Sequence, residues 1–494
     1  MHLASLVDMI ESAFCDRALL THEAPVDGAL LAALARGGAA ELSGRCGSVV
    51  YAGENHPMLP VALLASACAG VPFVPVNYRL DDQQLDKLIA RQPEPFVIAD
   101  ATTLPRITTV PARLFDDWLN ELPEGVAPDP PSDDDDVAIV LYTSGTTSEP
   151  KAALLRHRHL MAYLLGTVDF GGAGDHEAML VSVPPYHVAG VANMLSNLWA
   201  GRRLVYLPHF DPSTWLSTVR REAITHAMVV PTMLARIVDV LDGPTADVPT
   251  LRSLAYGGSK VSERVLRRAL EAFPTTGFVN AYGLTETAST IAVLGPDDHR
   301  AAVTSSDPAV QRRLSSAGQV LPTIEIEVRD ERGNAVPPGV AGMIFLRGEQ
   351  VAGEYSTGAV LDSDGWFCTR DRGSVDSDGY LFLEGRADDT IIRGGENVAP
   401  AEIEDVLLRQ RAVAEVCVVG LPDDEWGQRI VAAVVLAPDA SPDEEGLRSA
   451  VRAELRGART PDRIVFRDQL PYTQTGKLLR RTVLAELIED GTAR

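Results

Sequence analysis

Val137-Ala138-Ile139-Val140-Leu141-Tyr142 runs without a break into Thr143-Ser144-Gly145-Thr146-Thr147-Ser148-Glu149-Pro150-Lys151. The apolar run reads as a buried strand, and the second segment packs hydroxyls, a glycine and a lysine into a short loop. Hydroxyls and free backbone N–H groups in such a loop can wrap phosphate oxygens, and a lysine adds a point charge. The pattern is not a Walker loop, because GxxxxGK[ST] is absent. Read as a strand-to-helix connection, it points to phosphate binding; the competing reading is a plain Ser/Thr-rich surface loop.

Working outward, a polar, Pro-rich stretch from Pro123 to Asp136 precedes the strand and ends in four aspartates, which reads as a solvated loop. Before it, helix-like and strand-like segments alternate: a strand from Gly47 to Tyr51, a helix from Leu59 to Ala69 stopped by Gly70, and strands from Phe73 to Val76 and from Phe96 to Ala99. After it, apolar strands are expected at Met179 to Val183, Leu204 to Leu207, His226 to Val230, Ser253 to Tyr256 and Phe278 to Asn280. Helical stretches separate them, as in a largely parallel buried sheet. From Ile324 the texture becomes that of a small β subdomain, with alternation in Ile324-Glu325-Ile326-Glu327-Val328 and short strands at Gly342 to Leu346 and Gly379 to Leu383. Beyond Gly385-Arg386 an α/β pattern returns. Helix Pro400 to Arg409, strands Val413 to Gly420 and Val431 to Leu436, and helix Asp443 to Leu455 form a compact unit of ~105 residues.

The bulk properties fit this picture. A chain of 494 residues suggests about three folding units. A formal net charge of -24 argues against nucleic acid as a partner and against a basic membrane-surface protein, so a bound nucleotide needs local cations and backbone donors. Cys15, Cys46, Cys68, Cys368 and Cys417 are scattered, with no CxxC pair, which suits a reducing, cytoplasmic compartment. The N-terminus shows no signal-peptide pattern. Pro57 to Tyr78 carries no charge, but Pro60, Gly70, Pro72 and Pro75 interrupt it, so a buried helix and strand are expected rather than a membrane span.

The loop at 142–151 resembles the phosphate-loop signature of the adenylate-forming superfamily, which includes acyl-CoA synthetases, luciferases and peptide-synthetase adenylation domains. Further stretches resemble that superfamily's motifs in order along nearly the whole chain. They are Ala281-Tyr282-Gly283-Leu284-Thr285-Glu286-Thr287, Gly365-Trp366-Phe367-Cys368-Thr369-Arg370-Asp371, Gly385-Arg386-Ala387-Asp388-Asp389, Gly394-Gly395-Glu396-Asn397-Val398-Ala399-Pro400-Ala401-Glu402-Ile403-Glu404 and Thr475-Gly476-Lys477. Three positions depart from the usual glycine: Ser148 and Ala152, both small, and Arg370. The side chain of Arg370 would either clash or point to solvent.

The resemblance implies a large N-terminal adenylation domain over 1–386, made of layered, mostly parallel sheets with helices and the β subdomain. A small mobile α+β domain over 387–494 would carry the catalytic lysine. Thr143, Ser144, Gly145, Thr146, Thr147 and Lys151 would cradle the leaving pyrophosphate of ATP. Thr285 would touch the α-phosphate and Glu286 would hold Mg²⁺, a hard cation suited to carboxylate and phosphate oxygens. Tyr282 would offer a flat face to adenine, with Ala281, Gly283, Gly257, Gly258 and Ser259 around it. Asp371 would accept the ribose hydroxyls and Arg386 would approach ribose or phosphate. Lys477 would bridge the carboxylate and α-phosphate oxygens. For the second half-reaction Asp388 would act as pivot, and Gly394, Gly395 and Glu396 would leave room for a pantetheine arm of CoA or of a carrier protein.

Pro184-Pro185-Tyr186-His187-Val188-Ala189-Gly190 resembles the gating motif of CoA ligases, with His187 near the substrate carboxylate. Amino-acid-activating relatives carry an aspartate where this chain has Val188. The expected acid pocket is walled by Val188, Gly190, Val191, Val230, Tyr256, Gly257, Gly258 and Ala281, which suits an apolar acyl group. Three activities remain on this reading: an acyl- or aryl-CoA ligase, an acyl-AMP ligase serving a carrier protein or another acceptor, and, more remotely, the activation of a different oxyanion by AMP transfer. An inactive scaffold is argued against by the presence of Lys477, Glu286, Asp371 and Arg386. The reading allows a homodimer.

Overall fold

A computed structural model of the chain describes residues 1–21, 24–123, 133–143, 150–393, 396–423, 426–438, 440–455, 457–473 and 477–491. The strands expected downstream of the phosphate loop are present as Ala178–Val181, Arg203–Tyr206, His226–Val229, Ser253–Gly257 and Gly277–Leu284. The five pair parallel with one another. Helices packed on this sheet bury Trp215, Leu234, Ile237 and Leu266 in one core.

A second sheet of eight strands carries Ser48–Ala52, Phe73–Val76, Pro95–Ala99 and Val137–Thr143, again parallel. The helix Leu59–Ala69 is buried along nearly its whole length between the layers, and among the described residues no helix is long and apolar enough to cross a membrane. One expectation is corrected here. Lys151–Arg156 is a strand, antiparallel to Val137–Thr143 with Thr143 opposite Lys151, so the phosphate loop joins two strands rather than a strand and a helix. Ala and Leu favour helix in isolation. Here Ala152, Ala153 and Leu155 are buried against the neighbouring strand, and that pairing decides the outcome.

The β subdomain is continuous with the large sheet. Glu325–Arg329, Gly342–Arg347, Phe367–Val375 and Tyr380–Arg386 pair antiparallel, and the last joins Gly318–Val320. Gly318–Val320 pairs with Ser289–Leu294, the return strand of the Gly277–Leu284 hairpin. The sheet of thirteen strands therefore changes from parallel to antiparallel at this hairpin. Beyond Arg386 the described strands form two further sheets around their own core of Ile403, Leu407, Val418, Ile430 and Val451.

Several histidines are buried neutral. His2 stacks on His157 with ring centroids 3.5 Å apart. Burial, helped by the neighbouring His2, lowers the pKa of His157 to about 3. Burial likewise lowers His159 and His226 to about 4. An unfolded histidine titrates near 6.5, so below that pH the unfolded chain binds protons that the folded chain refuses. Stability from these groups is present above pH 6.5 and is lost as pH falls towards about 4. The urea midpoint should therefore drop steadily over that interval and be flat from pH 7 to 8; a midpoint constant down to pH 4 would contradict this burial.

Candidate active site

The hairpin at the seam of the large sheet delivers the first group of residues. Tyr282 lies on the outgoing strand, and Thr285 and Glu286 occupy the short 3₁₀ turn Thr285–Thr287 at its end. Thr287 ties that turn down, its hydroxyl accepting from Leu284 N–H at 3.0 Å and contacting the Leu284 carbonyl at the same distance. The Glu286 side chain is buried, and its carboxylate accepts a hydrogen bond from the Tyr355 hydroxyl. Lys151 places its ammonium 5.6 Å over the same Tyr355 ring. Tyr355 thus connects the lysine of the phosphate loop to the carboxylate expected to hold a metal. Sequence reasoning misses it, because its relation to Glu286 spans 69 positions and no local pattern marks it.

The strand Phe367–Val375 brings in Asp371, 8% exposed. Tyr282 Oη donates to its Oδ2 at 2.6 Å, and Arg386 Nε lies 3.1 Å from its Oδ1. Burial lifts the pKa of this carboxyl above its ordinary value, against the opposing pull of the Arg386 guanidinium. Lys477 reaches the same place from the far end of the chain. Burial and then the Arg386 cation lower its pKa, while Asp371, Asp389 and Glu286 pull the other way. Sequence positions 286, 371, 386 and 477 therefore share one electrostatic environment. Such a cluster can hold a phosphate ester and place a cation where an attacking carboxylate and a phosphate must meet. Ser144, Gly145, Thr146, Thr147, Gly394, Gly395, Thr475 and Gly476 lie outside the described residues, as does the side chain of Glu396.

His187 caps the helix Val188–Ala200, with Val188 at its first position. Burial lowers the imidazole pKa to about 4, with Arg79 adding to the effect, so the ring is neutral near pH 7. Its Nε2 is buried without a hydrogen-bond partner among the described residues. Arg79, which no motif marks, adds positive charge beside the gate. Gly258 faces Val230, with a Cβ there coming 3.8 Å from Val230 Cγ1, so two expected wall residues do meet.

Three other expected wall residues have closely packed surroundings. The Tyr256 ring is 1% exposed and its hydroxyl meets His299 Nε2 at 2.9 Å, so this side chain belongs to the core. A Cβ on Gly190 would stand 2.4 Å from the Pro184 carbonyl oxygen, and one on Gly257 would stand 2.3 Å from that of Ala281. At both positions the absence of a side chain permits close backbone packing. Ala281 pairs with Gly257 across parallel strands, and Val191 is 2% exposed. Arg370 resolves its two readings in favour of solvent: its side chain is exposed, although its φ of 60° lies where glycine is favoured.

A buried carboxylate beside an arginine and within electrostatic reach of a lysine suits the charge neutralisation that an adenylate-forming ligase requires. Comparison with known proteins agrees. The family model of AMP-binding enzymes matches residues 39–356, and that of the AMP-binding enzyme C-terminal domain matches 402–477. A feruloyl-CoA synthase of an Amycolatopsis species is 34% identical over 450 residues, covering 88% of each chain. A fatty acid–[acyl-carrier-protein] ligase of Streptomyces coeruleorubidus is 32% identical over 461 residues, covering 88% of this chain and 85% of its own. The ATP-bound structure of MatB from Rhodopseudomonas palustris superposes with a TM-score of 0.85 at 26% identity, covering 99% of both chains. The chain belongs to the AMP-binding enzyme family and is an AMP-forming acid–thiol ligase.

Proposed function

We propose that this enzyme joins an apolar carboxylic acid to CoA in two steps, with Lys477 serving the first. The carboxylate oxygen attacks the α-phosphorus of ATP, an O–P bond forms, and pyrophosphate leaves with the electron pair of the broken α–β bridge. The thiol sulfur of CoA then bonds to the acyl carbon, the acyl carbon–oxygen bond breaks, AMP leaves with that electron pair, and the thiol proton passes to solvent. The observation that carries this reading is the convergence of Lys477, Arg386, Asp371 and Glu286 on one environment. Lys477 and Arg386 offset the charge of the two reacting anions, Asp371 holds the ribose and Thr285 contacts the α-phosphate. Neutral His187 accepts the acid without adding a competing charge. Lys151 and the hydroxyls of its loop hold the leaving phosphates.

Mg²⁺ fits Glu286. Among the described residues no three metal-ligating side chains cluster, which suits an ion held by one carboxylate together with substrate phosphates. When bound it would neutralise phosphate charge. The feruloyl-CoA synthase relative supports CoA as acceptor, while the carrier-protein ligase supports the alternative in which a pantetheine-bearing protein takes the acyl group. We divide the chain at Arg386 and Ala387 and place the enzyme in the cytoplasm, where its free cysteines are at home. A screen of pyrophosphate release over carboxylic acids, with and without CoA, tests the proposal. Release with an apolar acid and thioester formation with CoA support it; thioester formed only on a carrier protein turns it to the alternative.

The assignment of Asp388 as pivot has its own test. It occupies the short turn Ala387–Asp389, where a proline would freeze φ. Asp388→Pro should cost acyl-AMP formation no more than about fivefold, the worth of one exposed ion pair, and abolish thioester formation. Unchanged overall turnover, measured by thioester accumulation, would remove the assignment.

A further inference from the structure

The segments on either side of Arg386 meet through ion pairs that the reaction does not use. Lys260, next to the Gly257-Gly258-Ser259 turn, places Nζ 2.8 Å from Oδ1 and 2.7 Å from Oδ2 of Asp405. Asp405 belongs to the helix Pro400–Leu408, so the pair crosses 145 positions of sequence. Arg370 sends Nη1 to within 3.8 Å of Asp388 Oδ2. Its left-handed φ of 60° is a conformation a side chain adopts only against resistance. In the orientation these pairs hold, Lys477 is within electrostatic reach of Asp371, Arg386 and Glu286.

We propose that Lys260 and Arg370 are positioning residues that hold the C-terminal segment in the orientation presenting Lys477 to the acid and the α-phosphate. The pairs thereby favour acyl-AMP formation over the later transfer. This rests on the reading that Lys477 serves the first step. Both pairs keep solvent contact, with side-chain exposures of 45% and 40% for Lys260 and Asp405 and 57% and 36% for Arg370 and Asp388. Each pair therefore contributes about two- to fivefold, and less as salt rises.

The test is a charge swap. Lys260→Asp and Asp405→Lys each replace attraction by repulsion and should slow acid-dependent pyrophosphate release about five- to tenfold at low salt. The double variant should return to within about twofold of the parent, as coupled sites do. Transfer from supplied acyl-AMP to CoA should be retained or raised in the single variants. High salt should bring the parent towards them. Single variants that match the parent, a double variant no better than the singles, or equal loss in both steps would overturn the proposal. Arg370→Gly relieves the backbone while removing the cation, so pyrophosphate release should fall about two- to fivefold with no loss of melting temperature. A lower melting temperature with unchanged release would assign Arg370 a structural role only. Spin-label distances between the two segments read orientation without catalysis. They should broaden in the single charge variants and recover in the double. A parent that releases no pyrophosphate with any acid while these distances behave as expected would fault the proposed reaction, not the pairs.

Discussion

Lys477→Ala should lose acyl-AMP formation by ~10²–10³, the usual cost of removing one electrostatic donor from a reaction centre, while keeping most of the transfer from supplied acyl-AMP to CoA. The reason is local. Lys477 shares its surroundings with Asp371, Glu286 and Arg386, and burial disfavours its charged form. An ammonium within electrostatic reach of that cluster can act on charge that develops between carboxylate and phosphate. The transfer step has no such meeting of anions. Single-turnover measurement of each half-reaction checks the split, and equal loss in both would take the role away from Lys477. Lys477→Arg tests geometry, since a planar fork does not replace a compact ammonium.

The second large effect concerns the acid. α-Amino acids should be discriminated against by a factor on the order of 10³ relative to apolar acids of matching size, because an unpaired buried ammonium costs several kcal/mol. Val188 opens the gate helix where a carboxylate would be needed, and the Arg79 cation acts on the neighbouring His187. Comparing kcat/KM for aromatic, alicyclic and medium-chain acids with their α-amino counterparts decides it. If an α-amino acid is the best substrate, the reading of this pocket is wrong.

The strand pattern is legible in the sequence because buried parallel strands announce themselves as apolar runs, as at His226–Val229. The motif residues are legible too, since Tyr282, Glu286, Asp371, Arg386 and Lys477 stand in recognisable local contexts. Contacts between distant residues are not. Tyr355 on Glu286, Arg79 beside His187 and Lys260 on Asp405 depend on how separate segments pack, and no local periodicity encodes them. Lys151–Arg156 misleads because its composition favours helix while its partner strand imposes pairing. Nor does a sequence show what a missing side chain leaves beside it: at Gly190 and Gly257 the Pro184 and Ala281 carbonyls lie where a Cβ would stand.

The change of strand direction at Gly277–Leu284 and Ser289–Leu294 bears on how such an enzyme can diversify. The helix Val188–Ala200 and the residue Val230 belong to the parallel half, whereas Asp371 and Arg386 come from the antiparallel half, and the hairpin joins the two. On the proposed roles, the residues expected to meet the acid and those expected to hold the ribose sit in different halves of the sheet. A library randomised at Val188, Ala189 and Val230 should yield new acid specificities at unaltered KM for ATP. One randomised at Leu284 and Thr290, within the shared hairpin, should seldom improve one property without degrading the other.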